Sequence, residues 1–419
     1  MYALVDCNNF YVSCERRFNP KLKHVPVVVL SNNDGCAVSR SQEAKDLGIP
    51  MAAPIFKFRD IVKKHGIVCL SSNYALYGDI SRRVMSIFDK WSPEVEVYSI
   101  DEAFLRFSDM EKVSKLEQYA REIRATVLQW TGIPVSVGMG ATKTLAKAGS
   151  KLAKRTEGGF MILDPAKNND EHLAAVKVGD VWGVGRQYER WLVANGIHTA
   201  SDLRDADEKW IRQKMTVVGH RTVLELRGTE CIAMEMNPPD KKTLAHARSF
   251  GRLLEEKDEI RESVALYAES AAAKLRGEGL AAQGITVFLE TNPFRFQDPQ
   301  YRASKSIEFS VPTNFTPEVV DLAVTAFEKI FRPGYKYKKA GVLLLELVPE
   351  SETQGELFDT VNRDRAHRLM KALDKVNASH GRATLGFAAG RMRDGWKPKY
   401  EKKTSSFTTQ WDGLPVVLA

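Results

Sequence analysis

An α+β fold divided among several domains is predicted by three features of the sequence. Strand and helix patterns interleave over the first 166 residues, and short helices follow from about residue 167. Residues 243 to 348 then run strand, helix, strand, strand, helix, strand. Interleaving of this kind favours sheets with helices packed on one side. A chain of 419 residues is too long for a single core, and its length suits about three or four domains.

The segment Tyr2 to Val5 alternates and breaks at Asp6, and a helical pattern begins at Phe10. That is a strand carrying an acid at its C-terminal end and leading into a helix. Pro26 to Leu30 reads as a fully buried strand closed by the turn residues Ser31-Asn32-Asn33-Asp34-Gly35. A helix through Gln42, Glu43, Ala44 and Lys45 is stopped by Gly48 and Pro50. Val95 to Ile100 alternates as a strand, and Ala103 to Phe107 continues beyond the acid pair Asp101-Glu102. A helix over Glu117 to Gln129, a strand over Val135 to Gly140 and a basic helix over Lys143 to Lys154 complete the first half. Met236-Asn237-Pro238-Pro239 reads as a linker.

Beyond it, strands are expected at Arg248 to Phe250, Ile285 to Thr291, Ser304 to Phe309 and Ala340 to Val348. Helices are expected at Ser263 to Arg276 and Glu318 to Phe331, giving a small sheet with two helices on one face. Roughly the last seventy residues are polar and basic with few periodic runs, the pattern of a weakly folded extension.

Hydrophobic residues make up 43 % and charged residues 27 %, an ordinary soluble composition. No run of about twenty apolar residues occurs, and MYALVDCNNF has neither a basic n-region nor an apolar h-region. Neither a membrane span nor a signal peptide is expected. The five cysteines (Cys7, Cys14, Cys36, Cys69 and Cys231) are odd in number and lack metal-like spacing, as in a reduced cytoplasmic protein. A net charge of +8 suits a polyanionic partner without requiring one.

Carboxylates that interrupt apolar strands are expensive unless they are paired or hold a cation. Convergence of Asp6, Asp101 and Glu102 would create an oxygen-ligand site for Mg²⁺, the ion of many phosphoryl-transfer centres. Adjacent residues on a regular strand point to opposite faces. Asp101 and Glu102 therefore share an ion only if the chain kinks there or the ion sits near the sheet edge. An isolated Asp-Glu pair more often caps a turn, but here Asp6 ends another strand and apolar residues flank the pair.

With Phe10-Tyr11, Ser99-Ile100-Asp101-Glu102-Ala103-Phe104 and Val137-Gly138-Met139-Gly140 through Lys143, Lys147 and Lys154, the sequence resembles the Y-family translesion DNA polymerases. Ser31-Asn32-Asn33-Asp34-Gly35-Cys36 and the long C-terminal extension resemble the UmuC-like subgroup, the catalytic subunit of bacterial DNA polymerase V. The resemblance implies a multidomain right-hand polymerase. Its palm would span 1–19 and 78–166, its fingers 20–77, and a helical thumb with a helix-hairpin-helix 167–232. A little finger over 243–348 and a C-terminal tail over 349–419 would follow.

It further implies that Asp6, Asp101, Glu102 and the Cys7 carbonyl hold two Mg²⁺ ions, with backbone near Asn9 and Phe10 on the triphosphate. Tyr11 would be the steric gate against ribose, although without the family it reads equally as an ordinary helix-face aromatic. Ser39, Lys45 and Lys154 would face the incoming nucleotide. Lys45 falls where many relatives carry Arg in a Tyr-Glu-Ala-Arg motif, and Gln42 replaces the Tyr, so bidentate phosphate binding and a stacking ring are both lost. Lys143 and Lys147 are expected to be solvated helix charges.

Gly183-Val184-Gly185 with Arg186 would be the hairpin that meets a DNA phosphate. Arg248, Arg252, Lys336, Lys338 and Lys339 either grip duplex backbone or form a plain surface. Gln354, Leu357 and Phe358 resemble a sliding-clamp-binding pentapeptide. Primer-template DNA, deoxynucleoside triphosphates, the clamp, a cleaved UmuD-type dimer and the RecA recombinase are the implied partners. A metal-dependent nuclease and a non-catalytic scaffold docked on DNA and clamp stand as rivals.

Overall fold

A computed structural model describes residues 1–419 except 108–112, 165–166, 238, 358, 360, 382–383, 391–395 and 415–419. The chain forms two compact units, Met1–Pro238 with Glu401–Ala419, and Pro239–Tyr400. Among the described residues, no helix is long and apolar enough to cross a membrane.

The strands of the first unit are, in chain order, β1 (Tyr2–Cys7), β2 (Val27–Leu30), β3 (Ala37–Arg40), β4 (Val68–Ser71), β5 (Val95–Val97), β6 (Glu102–Arg106), β7 (Val135–Gly140) and β8 (Phe160–Ile162). Its helices are α1 (Phe10–Phe18), α2 (Gln42–Asp46), α3 (Arg59–Lys64), α4 (Tyr74–Met85), α5 (Val113–Thr131) and α6 (Lys143–Ala153). Four more follow: α7 (Asp170–Ala174), α8 (Arg186–Ala194), α9 (Ala200–Asp205) and α10 (Glu208–Leu226). Five strands form one sheet in the order β5-β6-β1-β7-β8, and a smaller sheet has the order β3-β2-β4.

Strand β1 is buried along its whole length. Ala3, Val5 and Cys7 join a core with Ile123 and Val127 of α5, whereas Tyr2 and Leu4 pack with Phe104 and with Ala146 of α6. Helices thus cover both faces of the five-stranded sheet, not the single face expected. The reason is visible in β1, which is apolar on both sides up to Asp6, as doubly covered strands are. Strands β3 and β4 escaped the reading because Ala37–Arg40 and Val68–Ser71 are four residues each and too short to show a period; the twelve-residue helix α4 was also missed.

Helix α6 can lie against β7 because of Gly138. A Cβ there would overlap the backbone nitrogen of Ser150 and the carbonyl of Ala146, so only glycine permits the approach. The N-terminal end of α6 is fixed by Glu225 of α10. Its carboxylate accepts from the Thr144 amide at 3.0 Å and its carbonyl accepts from the Thr142 hydroxyl at 2.8 Å. A carboxylate at a helix N-terminus is favoured by the free amides and the macrodipole.

The second unit runs β9 (Thr243–Leu254), α11 (Lys257–Gly277), β10 (Leu280–Thr291), β11 (Arg302–Thr313), α12 (Thr316–Ile330) and β12 (Tyr337–Pro349), the order expected. Its antiparallel sheet is ordered β11-β10-β12-β9. Val264 and Ala268 of α11 and Val319 and Phe327 of α12 pack on Ile285, Val342 and Leu344.

The extension after 349, expected to be weakly folded, contains helix α13 (Arg363–His380). Arg276 of α11 holds it through a bidentate pair with Asp374 at 2.7 and 2.8 Å. Residues 401 to 410 return to the first unit as a strap. The Ser71 amide at the end of β4 donates to the Lys402 carbonyl at 3.0 Å, and the Phe407 ring stacks on Phe18 at 4.9 Å. These contacts come from isolated residues without a helical or strand period, which is why patterning missed them.

Candidate active site

The site is built where β1 ends. The register of β1 with β6 sets Asp6 directly opposite Glu102, so the two side chains share a face of the sheet. Asp101 lies just before β6, in a bend held by Ser99. The Ser99 hydroxyl donates to Asp101 Oδ1 at 2.6 Å and accepts the amides of Asp101 and Glu102 at 3.2 and 3.0 Å. The Cys7 amide donates to the Asp101 carbonyl at 2.8 Å. The chain is therefore kinked at the acid pair, the condition under which two adjacent acids can serve one site.

Burial raises the Asp6 carboxyl to about 6, Lys154 opposes the rise, and the charge of Glu102 adds to it. Two lysines on the α6 side meet the acids. Lys154 Nζ lies 2.8 Å from Asp6 Oδ2, and Lys147 Nζ lies 2.9 Å from Glu102 Oε2. Lys147 also stands over the Tyr98 ring at 4.4 Å and the Trp182 ring at 5.7 Å, a cation–π arrangement. It is a site residue and not the solvated charge expected. In this arrangement lysines neutralise the acids, and among the described residues no group of three or more His, Cys, Asp and Glu is drawn together to hold a metal.

Asn9 turns the chain from β1 into α1 with a left-handed backbone, φ 48° and ψ 46°, a conformation that asparagine tolerates better than most residues. Phe10 is buried in the main core. Tyr11 is half-buried, and its ring stacks on Tyr77 of α4 at 4.4 Å and 12°. Ser39 is buried, and its hydroxyl accepts the Val12 amide at 3.4 Å, which ties β3 to α1. Burial lowers the Lys45 ammonium, the charges of Arg40 and Lys154 lower it further, and Asp6 opposes them. Lys45, Lys154 and Asp6 are thus brought within one another's field. Arg40, held by the Ile49 carbonyl at 2.5 Å, is a further cation of this wall that the sequence reading missed.

Lys143 also departs from expectation. It is 1 % exposed, ion-paired with the buried Glu96, and donates to the Ala233 carbonyl at 2.7 Å. Glu96 in turn accepts the Glu235 amide at 2.6 Å. Removing one member of such a pair strands the other charge in the interior, at a cost of about 3–5 kcal/mol. Lys143→Ala is expected to lose that much stability in denaturant unfolding. Lys143→Met with Glu96→Gln should lose less than the two single changes added together; strict additivity would show that the pair is uncoupled.

Gly183 adopts φ +88° and Gly185 is the N-cap of α8; both are exposed, as is Arg186. Gln354 and Leu357 are exposed in irregular chain, Leu357 at 90 %, and Phe358 lies outside the described residues. They belong to the second unit.

The model of the impB/mucB/samB family matches residues 5–151, and that of the impB/mucB/samB family C-terminal domain matches 241–357. A domain of unknown function, DUF4113, matches 367–417. The chain is 42 % identical to Protein UmuC of Salmonella typhimurium over 418 residues, 99 % of each chain. It is 26 % identical to DNA polymerase IV 1 of Mesorhizobium japonicum over 406 residues, 95 % of this chain and 89 % of the other. Among solved structures, a Y-family DNA polymerase chimera of Dbh and Dpo4 superposes with a TM-score of 0.68 at 20 % identity, covering 83 % of this chain and 99 % of that one. Full-length likeness at this level, on a fold shared with Y-family polymerases, makes the chain a member of the impB/mucB/samB family and a UmuC-like, DNA-directed DNA polymerase of translesion synthesis.

Proposed function

We propose that this polymerase transfers nucleotides through two Mg²⁺ ions held by Asp6, Asp101, Glu102 and the Cys7 carbonyl, as the catalytic subunit of a polymerase V-type complex. The observation that carries the reading is the register of Asp6 against Glu102, with Asp101 locked beside them by the Cys7 amide. The donors fit a hard cation, being carboxylate and carbonyl oxygens. The burial that lifts the Asp6 carboxyl, with the Glu102 charge adding to it, is a penalty that a bound dication relieves. When bound, such ions supply charge neutralisation at the triphosphate and a more acidic primer hydroxyl.

The chain's own residues do the positioning. Lys154 and Lys45 would meet the triphosphate, the first amides of α1 near Asn9 and Phe10 would bind its oxygens, and Tyr11 would exclude a 2′-hydroxyl. The five-stranded sheet would be the palm and the three-stranded sheet the fingers. Gly183, Gly185 and Arg186 would hold a DNA phosphate. Gln354, Leu357 and Phe358 would dock on a sliding clamp. A cleaved UmuD-type dimer and a RecA filament would complete the machinery in the cytoplasm.

Primer extension on a primed template tests this reading. Chelation should abolish extension and Mg²⁺ should restore it, with a rate rising faster than linearly at low Mg²⁺. The UmuD-type dimer and the recombinase filament should raise it. Metal-independent extension would overturn the metal assignment. Shortening of the primer would favour the nuclease, and no reaction with every partner present would favour the scaffold.

A further inference from the structure

The strap formed by residues 401 to 407 ends against the wall that carries Tyr11. Asn73 stands at the N-cap of α4, where asparagine ordinarily caps its own helix, yet its side chain makes no cap bond. Instead its buried amide donates to the Thr404 hydroxyl at 3.0 Å and to the carbonyls of Thr404 and Ser405 at 3.2 and 3.0 Å. The Lys402 amide donates to the Ser71 hydroxyl at 2.9 Å. The strap is thus seated by polar groups of the fold as well as by the Phe407 stack.

From Thr404 the contacts run inward. Its hydroxyl donates to Glu15 Oε1 at 3.2 Å, and the same oxygen accepts the Tyr77 hydroxyl at 2.6 Å. Glu15 is 1 % exposed, and its other oxygen, Oε2, is buried without a hydrogen-bond partner among the described residues. Two donors therefore converge on one carboxylate oxygen and fix its rotamer. Tyr77 is fully buried, and its ring carries Tyr11 in a nearly parallel stack at 4.4 Å. The stack couples the two rings, so the phenol hydroxyl anchored on Glu15 fixes the surface against which the Tyr11 ring rests.

We infer that the C-terminal strap is a specificity element of the nucleotide site, with Thr404, Glu15 and Tyr77 as positioning residues that set the Tyr11 ring against the sugar. The inference rests on the reading of Tyr11 as the gate. It gives part of the segment matched by the domain of unknown function a task in sugar selection.

The test measures kcat/KM for insertion of one deoxynucleotide and its matched ribonucleotide by the full chain, with the same partners in every reaction. Tyr11→Ala tests the gate itself. Thr404→Val and Tyr77→Phe each remove one hydroxyl without changing shape. Each should lower the deoxy-to-ribo ratio roughly five- to tenfold, about the worth of one ordinary hydrogen bond, with kcat for the deoxynucleotide nearly unchanged. The double variant should be no worse than either single one, because both act through Glu15. Thr404→Ser loses the methyl but keeps the hydroxyl, and should keep the parent ratio. A collapse of the ratio in Tyr11→Ala with no change in Thr404→Val would overturn the strap's role and leave the gate standing. No change in Tyr11→Ala would remove the gate, and this inference with it.

Discussion

Replacing Asp101 with alanine should reduce templated nucleotide addition by about a thousandfold or more while leaving the fold intact. The size follows from the proposed role: a carboxylate that holds a dication in the transition state contributes several kcal/mol, and each ~1.4 kcal/mol is a factor of ten in rate. The separation of chemistry from folding follows from the bend. Ser99 holds the turn through the backbone amides of Asp101 and Glu102, and Cys7 holds it through the Asp101 carbonyl. None of these bonds needs the carboxylate. Single-turnover primer extension beside a thermal melt checks the outcome. A folded Asp101→Ala protein that retains more than a tenth of the rate would remove Asp101 from the catalytic set.

Gly138→Ala should do the opposite, destroying the fold that the site depends on. The added methyl would overlap backbone atoms of Ser150 and Ala146, which no rotamer change relieves. Helix α6 would have to lift off β7, and with it Lys147 and Lys154. Overpacking against flexible side chains typically costs about 1–3 kcal/mol; against backbone the loss should be at least about 3 kcal/mol. Gly185→Ala is the matched control, because that position has open space and φ −83°. It should melt within a few degrees of the parent protein. Equal melting of the two variants would show that the close approach of α6 is not required.

Much of this architecture is legible in the sequence. The run Tyr2 to Val5 ending in Asp6, and the alternation on either side of Asp101-Glu102, mark the strands that carry the acids, because period and burial are local properties. What the sequence withheld depends on partners far along the chain. Lys143 reads as a solvated charge until Glu96, 47 residues away, is seen beside it. Lys147 reads the same way until Tyr98 and Trp182 enclose it. Glu225 gives no local sign that it will close the end of α6. The strap is hardest of all, since Thr404 and Phe407 lie in chain without periodicity and find their partners nearly four hundred residues upstream.

That return of the strap also bears on the order in which the molecule is made. Translation produces residues 1 to 238 first and the whole second unit before residue 401 emerges. Until then the Asn73 amide lacks its acceptors and Glu15 holds Tyr77 with only one of its two donors. The first unit therefore cannot complete the contacts around Asn73 and Glu15 as a nascent domain, although domains usually fold as they emerge. A chain interrupted within the second unit would carry every acid of the site and still lack the segment that braces it. If the strap sets the Tyr11 ring as inferred, synthesis through residue 407 would be a condition for full sugar selection.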